Sequence, residues 1–126
     1  MTRITAAATA ILAAIVLAGC SPATKTETSG NATTEITVDA SDTGCAVSTT
    51  KVASGPYTFV VTNTGTKVTE FYVYGDGQRV IGEAENISPG LQRRLDIRFD
   101  QAGTYQTACK PGMTGDGIRG DFTVTG

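Results

Sequence analysis

The sequence predicts an all-β domain, a Greek-key antiparallel β-sandwich of about seven or eight short strands over residues 35–126. Three observations lead there. Apolar and polar residues alternate with a period of two through segment after segment, as half-buried strands require. Clusters of Gly, Asn, Asp and Pro break these segments at short intervals, where the chain must turn. No stretch sustains the 3.6-residue period of an amphipathic helix.

What precedes the domain reads differently. Arg3 gives a short positive start, and Ile4 to Leu17 is an apolar run of Ala, Ile, Leu and Val, suited to the core of a signal peptide. Leu17-Ala18-Gly19-Cys20 follows and resembles the bacterial lipobox. Residues 1–19 are therefore expected to be a lipoprotein signal peptide, with Cys20 as the lipidated first residue of the mature chain. Each buried acyl CH₂ contributes ~0.8 kcal/mol, so two or three acyl (palmitate-type) chains give stable anchoring. Residues 20–34, rich in Ser, Thr, Ala and Gly without apolar periodicity, read as a flexible tether.

Within the domain, Ile36, Val38 and Ala40 alternate with Thr37 and Asp39. Tyr57, Phe59, Val61 and Asn63 alternate with Thr58, Val60 and Thr62, and Asn63-Thr64-Gly65 turns the chain. Val68 to Tyr74 is rich in β-branched and aromatic residues and closes at Gly75-Asp76-Gly77. Leu95, Ile97 and Phe99 alternate with Arg94, Asp96 and Arg98, a strand with one face in water. Gly103–Cys109 and Ile118–Thr125 supply the last two strands.

Composition narrows the function. Ten Lys and Arg stand against twelve Asp and Glu, and loss of Arg3 with the signal leaves nine against twelve. That balance speaks against nucleic acid as a partner. The chain contains no histidine, so hydrolytic dyads are scarce and the expectation is a protein that is not an enzyme. A blue-copper centre takes two histidines and a cysteine, so type 1 copper is excluded by composition.

Three groups of residues have ligand chemistry. Cys109-Lys110-Pro111-Gly112-Met113 places a thiol and a thioether on one short loop after a strand, soft donors for Cu(I). Glu70 interrupts an apolar strand, where an unpaired carboxylate is costly; Arg93 or Arg119 are candidate ion-pair partners. Glu83 and Glu85, two residues apart, fall on one face of a strand and offer hard oxygen donors. Cys45 and Cys109 are the cysteines left after lipidation of Cys20. An even pair outside the cytoplasm reads as a disulfide as readily as a ligand pair, and both readings stay open.

The run from Cys45 through Gly55-Pro56-Tyr57, Glu70, Glu85-Asn86-Ile87-Ser88-Pro89-Gly90 and Gly103-Thr104-Tyr105 to Cys109 and Gly112-Met113 resembles the cupredoxin-like domain of EfeO-type iron-uptake proteins. The resemblance covers residues 35–126 and implies a cupredoxin-like sandwich with a metal-ligand set of Cys45, Glu70, Glu83 or Glu85, Cys109 and Met113. It also implies that Glu70 stands where histidine-bearing relatives place a ligand and points toward Cys109. EfeO-type proteins usually continue into a helical peptidase-like domain, which this sequence does not contain.

The function expected is a lipid-anchored protein on the extracytoplasmic (periplasmic) side of the cell membrane that binds iron or copper within an iron-uptake system. Its partners would be an iron permease or a peptidase-like EfeO protein. Two alternatives remain: a redox or electron-transfer protein acting on the ion, and a disulfide-stabilised adhesion or assembly sandwich that holds no metal. The anchor generates the first prediction. Cys20→Ala is expected to abolish lipidation and move the protein from the membrane to the soluble exported fraction; retention at the membrane with unchanged mass would refute the lipoprotein assignment.

Overall fold

The computed structural model describes residues 33–126. The expected signal segment 1–19, Cys20 and nearly all of the expected 20–34 tether lie outside the described residues. Nine strands form: β1 (Thr34–Ala40), β2 (Cys45–Val47), β3 (Lys51–Ala53), β4 (Gly55–Asn63), β5 (Thr69–Tyr74), β6 (Val80–Ile87), β7 (Gln92–Phe99), β8 (Gly103–Cys109) and β9 (Ile118–Thr125). Two short 3₁₀ turns, Asp76–Gln78 and Pro111–Met113, complete the elements.

The strands make two sheets, one of four in the order β2-β1-β4-β7 and one of five in the order β3-β9-β8-β5-β6. The all-β sandwich matches expectation in class and departs from it twice. The count is nine rather than seven or eight, because β2 and β3 are three residues each, too short to show a period of two. The sheets are mixed rather than antiparallel: β1 runs parallel to β4 and β3 parallel to β9.

Alternation fixes which side chains meet between the sheets. On β1, Ile36, Val38 and Ala40 are buried while Thr37 and Asp39 face water. Phe59 of β4 sits at the centre, with ring centroids 5.4 Å from Phe71 and 5.7 Å from Phe122 of the opposite sheet. Phe99 of β7 stacks on Phe122 at 5.3 Å. Each such ring contributes about 1.5–3 kcal/mol on burial, so the four phenylalanines dominate the adhesion between the sheets.

One end of the sandwich is organised by Asn63, which is 1 % exposed. Its Nδ2 donates to the carbonyls of Lys67 (2.7 Å) and Ile87 (2.8 Å), and its Oδ1 accepts from the N–H of Gly65 (2.9 Å). Its backbone N–H reaches Leu91 O and its carbonyl accepts from Gly90. One carboxamide thereby ties the β4–β5 turn to the β6–β7 turn. The second of these, Ser88-Pro89-Gly90-Leu91, closes with Leu91 N–H on Ser88 O and has Gly90 at φ +78°, the proline-then-glycine order of a type II turn.

Asp42 clamps the same β4–β5 turn from outside. Its carboxylate accepts from the Thr66 hydroxyl (2.6 Å) and from the backbone N–H groups of Thr66 and Lys67. Gly65 is required there, since a Cβ would fall 2.3 Å from Asp42 Oδ1 and 2.8 Å from Asp42 N. The two sheets are also joined covalently: Cys45, on the edge strand β2, is disulfide-bonded to Cys109, on the inner strand β8, with Cα atoms 5.5 Å apart. Of the two readings left open by the sequence, the structure takes the disulfide.

Two predictions arise. The bond spans 64 residues of sequence, for which the chain-entropy relation gives about 4 kcal/mol. Denaturant unfolding with and without reductant is expected to show a loss of that size. For Asp42, hydrogen bonding to Thr66 holds the carboxyl below its ordinary value of 3.8, against the opposing effect of partial burial. The folded state thus binds protons less readily than the unfolded chain, and the clamp's contribution is present above the ordinary carboxylate range and lost as pH falls through it. The stability gap between wild type and Asp42→Asn should be widest near neutrality and close below about pH 4, read from unfolding curves across a pH series.

Candidate functional site

Strand β5 has two faces, and the residues with ligand chemistry divide between them. Phe71 and Val73 point into the core, whereas Glu70, Tyr72 and Tyr74 take the outer face of the five-stranded sheet. Cys109 pairs in register with Phe71 and shares its inward direction, fully buried in the same core cluster. Glu70 instead exchanges two backbone hydrogen bonds with Lys110. The expectation that Glu70 points toward Cys109 is therefore corrected: neighbouring strand positions face opposite ways, and the sheet lies between the two side chains.

On the outer face the glutamates gather around Tyr72. A bulge between Thr69 and Phe71 sets Glu70 against two residues of β6, Glu85 and Asn86, and Asn86 adopts φ +54°. The extra residue lets Ala84 and Ile87 both turn inward, and Glu83 and Glu85 turn out. The Tyr72 hydroxyl lies 3.1 Å from Glu70 Oε2 and 3.4 Å from Glu85 Oε1. Burial, the hydrogen bond to Glu70 and the charges of Glu70, Glu83 and Glu85 together raise the Tyr72 pKa well above its ordinary value.

Cations frame this acidic patch. Lys110 Nζ sits 4.2 Å from the Tyr72 ring centroid, and the Arg119 guanidinium 4.6 Å from that of Tyr74. The two tyrosine rings are stacked at 5.6 Å and cover Ala108. Neither Arg93 nor Arg119 forms an ion pair with Glu70; Arg119 bonds Gln106, Gln78 and the Asp116 carbonyl. Tyr72 and Lys110 were not singled out by sequence, although both sit one or two positions from residues that were.

At the loop end, Met113 is 39 % exposed on the Pro111–Met113 turn at φ +56°. That turn is pinned to the residue just before β5, with Gly112 N–H donating to Val68 O (2.7 Å). The expected ligand set therefore falls into three places: Cys45 and Cys109 joined between the sheets, Met113 on the loop beyond them, and Glu70, Glu83 and Glu85 outside the sheet. Among the described residues, no three Cys, Asp or Glu side chains converge to hold a metal ion.

Comparison with known proteins places this arrangement. The profile of the cupredoxin-like domain family matches residues 8–124. No curated protein sequence matches the chain. Among solved structures, reduced auracyanin from Roseiflexus castenholzii superposes with TM-score 0.57 at 17% identity, over 76% of this chain and 100% of that one. Azurin from Methylomonas sp. strain J gives 0.54 at 16%, over 75% and 100%. Auracyanin A, a blue copper protein from Chloroflexus aurantiacus, gives 0.52 at 16%, over 72% and 99%. At such identities the likeness concerns the fold.

The residues present do not fit a type 1 copper ion. That centre takes a thiolate and two imidazoles; here there is no histidine, and Cys109 sulfur is bonded to Cys45. The family profile nevertheless spans residues 8–124, and the chain belongs to the cupredoxin-like domain family.

Proposed function

We propose that this chain is a lipid-anchored, extracytoplasmic metal-binding protein that takes up iron or copper and passes it on within an iron-uptake system. The observation that carries the reading is the Tyr72 hydroxyl placed between the carboxylates of Glu70 and Glu85. Glu70 is half-buried and Glu85 exposed; carboxylates held near one another repel, and a bound cation relieves that repulsion. Carboxylate and phenol oxygens are hard donors and suit iron better than Cu(I). Membership in the cupredoxin-like family and the resemblance to EfeO-type domains support the same conclusion.

The sulfur pair gives a second, redox-gated capacity. In the disulfide state neither Cys45 nor Cys109 is a thiolate donor. An external dithiol, itself oxidised to a disulfide, supplies the two electrons and two protons that convert the bond to two thiols, whose Cα atoms start 5.5 Å apart, near enough for both sulfurs to hold one soft cation such as Cu(I). Met113 stands on the adjoining loop as a thioether donor. The role is binding and delivery rather than catalysis, with an iron permease or a peptidase-like EfeO protein as recipient and the cell membrane as location. The competing reading is a disulfide-stabilised assembly module without metal, favoured by the disulfide itself.

Titration of the oxidised and reduced protein with Fe(II), Fe(III), Cu(I) and Cu(II) separates them. The oxidised protein is expected to take iron, and Glu70→Gln with Glu85→Gln should weaken it at least about tenfold, since two of the few charge-bearing donors are lost. The reduced protein is expected to gain Cu(I) binding that Cys109→Ser removes. Absence of stoichiometric metal in both redox states would leave the assembly module standing.

A further inference from the structure

The opposite end of the sandwich carries a feature that the metal reading does not use. β1 begins there: Thr34 pairs with Tyr57, Tyr57 pairs with Ile97, and the Tyr57 ring lies 6.0 Å from that of Phe99. Ala40, at the far end of β1, pairs with Cys45. The chain thus enters the domain at the end away from the disulfide. A cleft of about 220 Å³ opens at this entry end. Ile81, Phe99 and Tyr105 line its apolar part, and Arg79, Arg98 and Gln101 its polar part.

Arg79 and Arg98 both line the cleft. Arg98 Nε donates to Asp100 Oδ1 at 2.9 Å in an exposed pair, and the two terminal nitrogens of its fork take no part in that bond. Arg79 follows the Asp76–Gln78 turn, which is closed by Gly75 N–H on Arg79 O (2.8 Å). The ion pairs among the described residues are Arg94–Glu35 and Arg98–Asp100, so Arg79 is in neither. Asp100 is the acidic residue lining the cleft, and Asp76 lines the smaller depression beside it, which shares Arg79. Two forked donors flanking a small cleft match the several oxygens of a phosphate.

We propose that the cleft between Arg79 and Arg98 binds a phosphate group, supplied by the headgroup of an anionic phospholipid. The chemistry stands on the cleft alone; the lipid source rests on the lipid-anchored reading. Thirteen residues lie between Cys20 and Thr34, a reach of at most on the order of 50 Å, so an anchored domain meets headgroups at high effective concentration. A weak site then suffices to set orientation, because the anchor has already made the contact intramolecular. Bound this way, the domain turns its disulfide end away from the bilayer. With Arg3 gone, nine Lys and Arg face twelve Asp and Glu, so attraction to an anionic surface must come from a local site.

The test uses the full chain carrying Cys20→Ser, which removes the acyl acceptor. Glycerol 3-phosphate and inorganic phosphate are titrated calorimetrically, and cosedimentation compares vesicles of phosphatidylglycerol with vesicles of phosphatidylcholine. Binding to phosphatidylglycerol, competed by glycerol 3-phosphate, is expected to fall at least about tenfold in the double variant Arg79→Gln, Arg98→Gln. The charge-matched control Arg93→Gln, Lys51→Gln should stay within about twofold of the parent. Binding of the soluble phosphates without vesicle binding would keep the site and assign it to free phosphate. Equal losses in both double variants, or no binding of any probe, would overturn the proposal. Membrane retention of Cys20→Ala in cells counts against the anchor and leaves this result unaffected.

Discussion

The bond between Cys45 and Cys109 governs both the packing and the chemistry of its end of the sandwich. It connects the outermost strand of one sheet to an interior strand of the other. β2 is only three residues long and pairs with β1 alone, so covalent attachment supplies adhesion that its few ladder hydrogen bonds cannot. Cys109 is wholly buried beneath the turn that carries Met113. The same sulfur that would make the softest donor in the domain is therefore its inter-sheet tie, and the two roles exclude each other at any one moment. Asn63 complements this bond on the neighbouring turns with a fully satisfied buried carboxamide. Removing it would strand the buried Ile87 carbonyl, at a cost of about 1–3 kcal/mol.

The outer face of β5 obeys a different logic. Tyr72 and Tyr74 are 9 % and 6 % exposed although they lie outside the core, because Lys110 and Arg119 lie over their rings. This cover makes the Tyr72 hydroxyl a poorly hydrated group, and the adjacent Glu70 and Glu85 oxygens become its partners in place of water. The phenol stays protonated where a solvent-exposed one would ionise, its pKa raised first by burial and then by its acidic neighbours. The acidic patch and the aromatic stack are in that sense one electrostatic unit.

Much of this was legible in the residues. β1, β4 and β7 showed their period of two, and Asn63-Thr64-Gly65 and Gly75-Asp76-Gly77 announced their turns. β2 and β3 were invisible because three residues cannot display alternation, and parallel pairing of β1 with β4 leaves no local mark. Glu83 and Glu85 could be put on one face from spacing alone. The face of Glu70 could not be read, because Phe71 and Val73 are no more apolar in pattern than Tyr72 and Tyr74 on the other side. Only the register that sets Phe71 opposite Cys109 decides it. The cleft of Arg79 and Arg98 joins residues from a turn and a strand end, which no spacing rule brings together.

The pairing of β3 with β9 has a consequence for how such a chain matures. Thr125 Oγ1 donates to Val52 O across 73 residues, and Thr123 N–H reaches Thr50 O. An early segment thus finds its partner only when one of the last segments has arrived. Parallel, sequence-distant pairing delays closure, since loop entropy is lost before contacts repay it. In a chain made from its N-terminus, β3 therefore waits for its neighbour until Thr125, the β9 partner of Ala53, has been added.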